Sequence, residues 1–580
     1  MPDKWNLLDI LSNQSTDQIE ALLKKDVDQF ESYKKILNSI DEKKMLEILE
    51  LKERIYESMS KLENYYAMRF YENVKDSEAS AKLSYLKQLH TDLSNRIMFF
   101  SLWFMKLDDN TAKKFVESKI LARFKHYFER IRQLKEHTKS EEIEQIINLK
   151  NITSGSFFDV YEIMTSSFEY DFNGKKLTSE AMISKYRDID PKIRKQAYDI
   201  LLGKYREHKA ELYEIYKNIV LDWTNEDLKI RNYNKSISSR NMSNDLDDST
   251  VDAVLDVVRE NSKLWHRYFQ LKYKILSKKR KFPYSRCHIY APYEVKLKSY
   301  DYDYCKKYVL ETFKQFDQRF FDAANEIFKA KHVHSHPQKN KRGGAFCNII
   351  TNKHAPYVLL NHTDTIRDMF TIAHELGHGM HDMFSRVQPN LLQQPPLPIA
   401  ETASVFGEMI LADRILKESK NNEEKKFILM NLLDNEFATI PRQAFFVIFE
   451  KIAHENIPKG ITKEELDKKY LEILKEQFGS MEIPEVFKNE WNYIPHIHET
   501  PFYCYAYAFG NLLVLSLYDM YRKQGKVFIE KYIKFLSYGG SRYPKELLAG
   551  LGIDINDKRF WQKGIQIIKE QIEQLEELSK

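Results

Sequence analysis

The chain has 580 residues, of which 43% are hydrophobic and 30% are charged. This length exceeds what one hydrophobic core usually supports, so we expect at least two sub-domains, which could enclose a cleft. Ninety basic residues against 85 acidic residues leave a net charge of only +5, which gives little support for a nucleic-acid partner. No apolar run approaches the roughly 18 residues of a membrane-spanning helix, so a membrane protein is not expected.

The N-terminus and the cysteines bear on the cellular compartment. The first 14 residues contain Asp3 and Asp9 and lack the basic and apolar regions of an export signal. The four cysteines are far apart and form no CxxC pair, which argues against a disulfide framework. We therefore expect a cytoplasmic protein, and no obligate protein partner is evident.

The first third of the chain predicts long amphipathic helices. Apolar residues between positions 17 and 132 recur at spacings of three, four and seven, with charges between them. A break is predicted at TSGS, residues 153–156. After Phe168 the residues alternate up to Asn173-Gly174, a typical hairpin turn, so a small hairpin is expected near 168–177. We place a helical N-terminal region at 1–195.

The remainder, 196–580, is predicted as one mainly helical domain with a small β-sheet. Helical periodicity resumes at Thr178, and a capping box is predicted at 249–252 ahead of another apolar stripe. Between 290 and 304, and again between 342 and 361, the pattern changes and favours short strands. The second of these segments immediately precedes a metal-binding motif. After Glu401 the pattern is helical to the end of the chain.

The motif is HELGH at residues 374–378, on a predicted helix that Thr363-Asp364 can cap. His374 and His378 are four residues apart, and thus about 40° apart around the helix axis. Both imidazoles can therefore reach one ion at about 2.0–2.1 Å. A catalytic zinc ion needs a third protein ligand from elsewhere in the chain. The candidate is Glu401, which follows a proline-rich segment that cannot easily be helical. The predicted cofactor is one Zn²⁺ ion.

Two further carboxylates have predicted roles at this site. Glu375 lies beside the ion, and Glu408 follows Glu401 by two helical turns. We assign Glu408 as the acceptor for the second ring N–H of a ligating histidine, because such partners fix the tautomer and orientation of the ring. The reverse assignment of Glu401 and Glu408 stays open. So does the interpretation in which both histidines are ordinary polar residues of an amphipathic helix.

Other polar groups have more ordinary interpretations. His381 lacks the spacing of a third histidine ligand and is more often a core residue. His332, His334 and His336 alternate, so on a strand they would share one face and could bind metal; an exposed polar strand face is the more common outcome. The basic run at 278–281 is expected to be a solvated loop.

Five separate segments of the chain are distinctive: KRGGAF at 341–346, FTIAHELGHGMH at 370–381, IAETAS at 399–404, PFYCYAYAFG at 501–510 and GGS at 539–541. Together they resemble the thimet oligopeptidase and oligoendopeptidase F family of zinc peptidases, most closely its oligoendopeptidase F branch. The resemblance covers residues 240–551 well and the first third only in general character.

The resemblance implies a mainly α-helical, two-lobed ellipsoid with a deep channel that admits unstructured peptides. The zinc ligands of the family correspond to His374, His378 and Glu401, and its catalytic carboxylate corresponds to Glu375. The family also has a histidine and tyrosines opposite the metal. Candidates for these are His496 and Tyr507 as catalytic groups and His498 and Tyr505 as substrate-binding groups; their pairing with roles, and that of Tyr503, stays open.

The predicted function is that of a zinc-dependent endopeptidase that hydrolyses short unstructured oligopeptides. Metal-activated water would attack the peptide bond while Glu375 acts as general base. Gly344 and Ala345 are expected to bind the peptide backbone along an exposed strand. Two alternatives stay open: a zinc exopeptidase of the dipeptidyl carboxypeptidase type, and a peptide-binding protein in which zinc is only structural.

Overall fold

The computed structural model describes residues 3–580, apart from the side chains of Glu141, Gln145 and Ile152. The chain forms two compact units, each assembled from three stretches of sequence. The first unit comprises Met1–Glu136, Lys298–Lys417 and Met520–Ile553, and the second comprises His137–Leu297, Glu418–Asp519 and Asp554–Lys580. The boundary predicted after residue 195 concerns sequence regions rather than these units and stays a prediction.

Helices dominate both units, which confirms the mainly α class. Up to residue 297 the α-helices are Thr16–Ser32 (α1), Glu42–Glu72 (α2), Ser77–Ile97 (α3), Phe99–Lys106 (α4), Asp109–Val116 (α5), Lys125–Gln133 (α6), Glu141–Ser166 (α7), Ser179–Ser184 (α8), Pro191–Glu207 (α9), Lys209–Trp223 (α10), Ser238–Ser243 (α11), Asp248–Glu260 (α12) and Ser262–Ser277 (α13). A π-helical segment, Thr224–Ile230, continues α10.

From residue 298 onward the α-helices are Tyr302–Phe316 (α14), Gln318–Lys329 (α15), Ile366–Ser385 (α16), Asn390–Gln393 (α17), Leu397–Ala400 (α18), Thr402–Glu418 (α19), Asn422–Thr439 (α20), Pro441–Asn456 (α21), Lys463–Phe478 (α22), Pro495–Glu499 (α23), Tyr505–Gln524 (α24), Lys526–Ser537 (α25), Pro544–Ala549 (α26) and Lys558–Leu578 (α27). Short 3₁₀ helices occur at Leu7–Leu11, Tyr33–Lys35, Leu37–Ser39, Lys119–Phe124, Lys185–Arg187, Arg286–His288, Ile457–Lys459 and Glu485–Tyr493. Among the described residues, no helix combines the length and the apolar character that crossing a membrane requires.

The predicted hairpin is confirmed. Its strands are Tyr170–Phe172 (β1) and Lys175–Leu177 (β2), which pair antiparallel. Asn173 and Gly174 connect them with φ angles of 54° and 78°. Positive φ at both turn residues is the geometry that matches the right-handed twist of the flanking strands.

A three-stranded sheet lies in the first unit, next to α16. Its strands are Val333–His334 (β3), Phe346–Asn348 (β4) and Tyr357–Leu359 (β5). The fully buried β5 is central, parallel to β3 and antiparallel to β4. This confirms the small sheet beside the HELGH helix, and it leaves β4 as an edge strand.

Three local predictions were wrong. Helix α7 runs through residues 153–156, because its packing against α10 outweighs the roughly 1 kcal/mol that a helical glycine costs relative to alanine. Helix α12 begins at Asp248 rather than after a capping box at 249–252, and the hydroxyl of Ser249, the predicted cap, instead donates to Asn556 over 3.2 Å. The segment 291–301 forms no strand, and Pro292 within it lacks the N–H that a ladder requires.

Candidate active site

Helix α16 carries both motif histidines and is anchored in the core of the first unit. It packs against α14, α15, α25 and the strands β4 and β5. Its N-cap is Thr365, which forms a capping box with Asp368, so the helix begins slightly later than the predicted cap at 363–364. Ala373, Leu376 and Met380 are buried on the core side. The opposite side of the same turns presents His374 and His378 to a cleft.

Helix α19 approaches α16 unusually closely, and two glycines permit this. A Cβ atom on Gly377, inside the HELGH motif, would lie 2.4 Å from the Cα atom of Ser404. A Cβ atom on Gly407 would lie 3.0 Å from the carbonyl oxygen of Ala373. The two helix backbones therefore touch. This contact brings Glu401, the residue before α19, up to the motif.

His374, His378 and Glu401 converge on one point. The Nε2 atoms of the two histidines are 3.2 Å apart, and Oε2 of Glu401 is 3.5 Å from each. Tetrahedral ligand atoms about 2.0–2.1 Å from an ion are separated by roughly 3.3–3.4 Å. The donor set and its spacing therefore fit a zinc ion. No other group of three His, Cys, Asp or Glu residues converges in this way within residues 3–580.

Neighbouring side chains orient two of these donors. Oε1 of Glu408 lies 2.6 Å from Nδ1 of His374, so the Nε2 atom of that ring faces the convergence point. Although burial opposes a charge on the ring, the hydrogen bond to Glu408 raises the pKa of His374 to about 9. The Ser404 hydroxyl donates to Oε2 of Glu401 over 2.7 Å. Such contacts hold metal ligands in position, and the contact with Glu408 also makes the imidazole of His374 more basic.

Glu375 lies in the same cleft, beside the edge strand. Its side chain is buried, and burial raises its pKa to about 7, although the backbone N–H of Cys347 acts in the opposite direction. A carboxyl group whose pKa lies near neutral pH is suited to take up and release a proton.

The edge strand β4 forms one wall of the cleft. Residues 345–349 line it opposite His374, Glu375 and His378. Gly344 and Ala345 line an adjoining depression together with Glu375 and Thr371. The described strands pair with β4 on one side only. Its other edge carries backbone groups of the kind that bind an added peptide strand.

The remaining predicted site residues lie in the second unit. His496, Tyr503 and Tyr507 are partly exposed and form a cluster, with ring centroids 5.9 Å apart for His496 and Tyr503, 6.1 Å for His496 and Tyr507, and 5.3 Å for the two tyrosines. The structure thus brings the two candidate catalytic groups of this segment together with Tyr503.

His498 and Tyr505 are instead buried within the second unit. The ring of His498 stacks on Tyr161 at 4.1 Å, and its Nδ1 atom lies 3.0 Å from the Ile494 carbonyl. The hydroxyl of Tyr505 accepts a hydrogen bond from Asn244 over 2.8 Å. These contacts hold both rings inside the second unit.

The alternating histidines have structural partners. We expected an exposed polar strand face, which is wrong for His332 and His334, because both are buried. The ring of His332 stacks on Tyr357 at 3.8 Å, and its Nδ1 atom lies 2.8 Å from the Ala355 carbonyl oxygen. The basic run at 278–281 is exposed after α13, as predicted.

The structure also adds residues that the sequence did not single out. Ser404 orients Glu401. Its position three residues after that glutamate could have suggested this role. Asp382 lines the cleft one helical turn after His378, a spacing that the motif itself could have suggested. The proline-rich segment before Glu401 includes one helical turn, α18, with Pro398 in its first turn, where proline is tolerated.

Comparison with known proteins identifies the class. Residues 184–567 match peptidase family M3, and residues 103–169 match the Oligopeptidase F domain. The Oligoendopeptidase F homolog of Borreliella burgdorferi is 30% identical over 99% of this chain and 98% of its own length. Oligopeptidase PepF of Bacillus subtilis is 24% identical over 99% of this chain and 87% of its own length.

Solved structures agree. A crystal structure from Chlamydophila abortus, described as a peptidase, has a TM-score of 0.87 and 25% identity and covers 99% of this chain and 98% of that chain. Oligoendopeptidase-F from Enterococcus faecium shares the fold, with a TM-score of 0.73, 21% identity and coverage of 97% and 98%. The chain therefore belongs to peptidase family M3 and is a peptidase. Within that family it groups with the oligoendopeptidases F, which confirms the resemblance found in the sequence.

Proposed function

We propose that the protein is a zinc-dependent endopeptidase that hydrolyses internal bonds of short, unstructured oligopeptides. The observation that carries this proposal is the convergence of His374, His378 and Glu401 with Glu375 beside them in the cleft. Two imidazoles and one carboxylate leave the fourth tetrahedral position open, as catalytic zinc sites require.

The protein groups divide the work as follows. When bound, zinc lowers the pKa of its water towards about 7 and polarises the scissile carbonyl. Glu375 accepts a proton from the attacking water and delivers it to the leaving amine. Glu408 holds the tautomer of His374, and Ser404 fixes the orientation of Glu401. The open edge of β4, with Gly344 and Ala345 beside it, binds the peptide backbone and thereby permits varied side chains.

Further groups rest on the family resemblance. Tyr507 and His496 are the proposed donors to the oxyanion that forms at the scissile carbonyl, and their partial exposure in one cluster supports this. His498 and Tyr505 are buried, so we propose that they support substrate binding indirectly, by holding residues 495–507 in place. A cytoplasmic location and action without an obligate partner belong to the same proposal.

Replacement of Glu375 by Gln tests the general base. We expect Glu375→Gln to keep one zinc ion per chain and to lose about 10²–10⁴-fold in kcat, because the proton acceptor is gone while the ligands stay. Metal content by mass spectrometry and turnover of a quenched fluorescent peptide are the measurements. Glu530→Gln, at an exposed position of α25, is the matched control. Undiminished turnover by the zinc-loaded Glu375→Gln variant would overturn the assignment.

Product mapping separates the alternatives. A peptide acetylated at its N-terminus and amidated at its C-terminus should be cut internally, whereas a dipeptidyl carboxypeptidase needs a free C-terminus. A chelator should abolish cleavage, and added zinc should restore it. A chain that binds one zinc ion and cleaves no peptide would instead support the structural-zinc alternative.

A further inference from the structure

Asp382 is a carboxylate in the cleft for which the proposed reaction has no use. It lies on α16 four residues after His378 and lines the cleft together with Cys347 and Gln394. The Cys347 thiol donates to Oδ2 of Asp382 over a distance of 3.9 Å. Among the residues that the structure describes, Asp382 has no salt-bridge partner.

The surroundings of Asp382 offer its carboxylate no positively charged protein group. Burial raises the pKa of Asp382 to about 7, because no neighbouring cation stabilises its charge. Glu57 in the same unit is also partly buried, but it pairs with Lys61 at 2.8 Å and Lys353 at 2.6 Å. The described residues that line the cleft around Asp382 include no Lys or Arg. A cation at Asp382 must therefore come from a ligand.

The position of Asp382 along the cleft defines where that cation would lie. Seven helical residues separate it from Glu375, which corresponds to roughly 10 Å along α16. An extended peptide covers this distance in about three residues. Residues 345–349 line the cleft that holds both Glu375 and Asp382, whereas Gly344 lines the adjoining depression, which holds Thr371 and Glu375 but not Asp382. Asp382 contacts the Cys347 side chain and thus lies farther from Gly344 along β4 than Thr371 does.

The direction of the peptide follows from strand pairing. Antiparallel pairs outnumber parallel pairs, and β4 already pairs antiparallel with β5. A peptide antiparallel to β4 would place its N-terminal part beside the C-terminal end of that strand. We propose that Asp382 is a specificity-determining residue that binds a Lys or Arg side chain two or three residues on the amino-terminal side of the scissile bond. This proposal rests on the proposed endopeptidase function.

The test compares peptides that differ by one charge. Quenched fluorescent peptides, blocked at both ends, carry either Lys or norleucine at single positions two or three residues to either side of the scissile bond. The ratio of kcat/KM for Lys over norleucine should be roughly 10 on the amino-terminal side for the wild type, because a charge-assisted hydrogen bond is strong in a partly buried cleft. Asp382→Asn should reduce this ratio to about 1.

Two matched variants control for unspecific effects. Asp382→Glu keeps the charge and should retain most of the preference. Asp413→Asn removes a carboxylate that pairs with Lys417 on the surface of α19 and should keep the wild-type ratio. A wild-type ratio near 1, or an unchanged ratio in Asp382→Asn, would overturn the proposal. A preference on the carboxyl-terminal side would overturn the antiparallel placement.

Peptide binding without turnover separates this proposal from the proposed function. Fluorescence anisotropy of the Lys and norleucine peptides is measured with the metal-free protein, wild type and Asp382→Asn. If the metal-free protein binds the Lys peptide selectively through Asp382 and the zinc-loaded protein cleaves neither peptide, the endopeptidase function is overturned and the role of Asp382 is supported. Cleavage without any Lys preference in either assay would support the endopeptidase function and overturn the role of Asp382.

Discussion

The two regions that contain the predicted site residues are built in different ways. In the first unit, His374 and His378 belong to one regular helix, and the glycine contacts between α16 and α19 bring Glu401 to them. In the second unit, the cluster of His496, Tyr503 and Tyr507 adjoins an irregular segment. Because the first region is built on a regular helix, residue spacing predicts its geometry. The geometry of the second region depends on contacts between residues that are distant in the sequence.

The irregular segment of the second unit contains a strained residue. Phe502 has a φ angle of 61°, a conformation that is rare for a bulky side chain. Its N–H donates to the fully buried carboxylate of Glu450 over 2.7 Å, and Nε of Arg240 donates to the Pro501 carbonyl over 3.2 Å. The side chains of Glu450 and Arg240 thus hold the turn that precedes Tyr503. Such strain persists only where surrounding contacts enforce it.

The largest effect is expected from Gly377→Ala, which disrupts the close contact between α16 and α19 in the first region. The new Cβ atom would lie 2.4 Å from the Cα atom of Ser404, so α19 must move away from α16. We expect a loss of about 3 kcal/mol or more in the free energy of unfolding and at least a 100-fold loss of kcat/KM, because Glu401 moves with α19. Denaturant unfolding, zinc affinity and peptide turnover are the measurements.

Gly203→Ala is the matched control for that variant. Gly203 lies inside α9, where a Cβ atom would meet nothing within 4 Å. The substitution should be neutral or stabilise by about 0.5–1 kcal/mol, because alanine has the higher helix propensity. If Gly377→Ala matched Gly203→Ala in stability and zinc affinity, the close helix contact would not be what positions Glu401.

The second effect probes the aromatic cluster. Tyr507→Phe should lower kcat by about 10²–10³-fold with little change in KM, because a donor to the oxyanion acts mainly in the transition state. Tyr233→Phe, which removes a partly exposed hydroxyl elsewhere in the second unit, is the control. A Tyr507→Phe variant with wild-type kcat would remove Tyr507 from the proposed mechanism.

The sequence was sufficient where local rules decide the structure. The four-residue spacing of His374 and His378 and the Asn173-Gly174 turn predicted their local geometry directly. Elsewhere tertiary contacts decided. Helix α7 continues past Gly155 because it packs on α10, and His332 is buried because Tyr357 stacks on its ring. No local pattern encodes such partners.

The burial of His498 and Tyr505 shows the same limit within one short segment. The sequence from 495 to 507 offers two histidines and three tyrosines of similar character. The structure exposes His496 and Tyr507 in part and encloses the other two candidates, because Tyr161 and Asn244 lie against them. Both partners precede the segment by more than 250 residues; Asn244 and Tyr505, for example, are 261 residues apart in the sequence.

The smallest effect concerns the buried carboxyl group of Glu450, which contacts the turn at Phe502. Burial raises the pKa of Glu450 to about 8 from an ordinary value of 4.5, although the Phe502 N–H and the Arg240 charge act in the opposite direction. Between pH 4.5 and pH 8 the folded protein therefore keeps a proton that the unfolded chain releases. Because the folded state binds more protons in this window, the stabilising contribution of this residue falls as the pH rises.

Glu450→Gln should remove that pH dependence, because the amide keeps an acceptor for the Phe502 N–H without carrying a charge. We expect the variant to match the wild type closely in the free energy of unfolding near pH 4.5 and to exceed it by roughly 2 kcal/mol at pH 6. Glu455→Gln, at an exposed position of the same helix, should show no such divergence. Parallel pH profiles for wild type and Glu450→Gln in denaturant unfolding would mean that Glu450 is ionised throughout. The N–H of Phe502 in the strained turn would then donate to an ionised carboxylate rather than to a neutral acid.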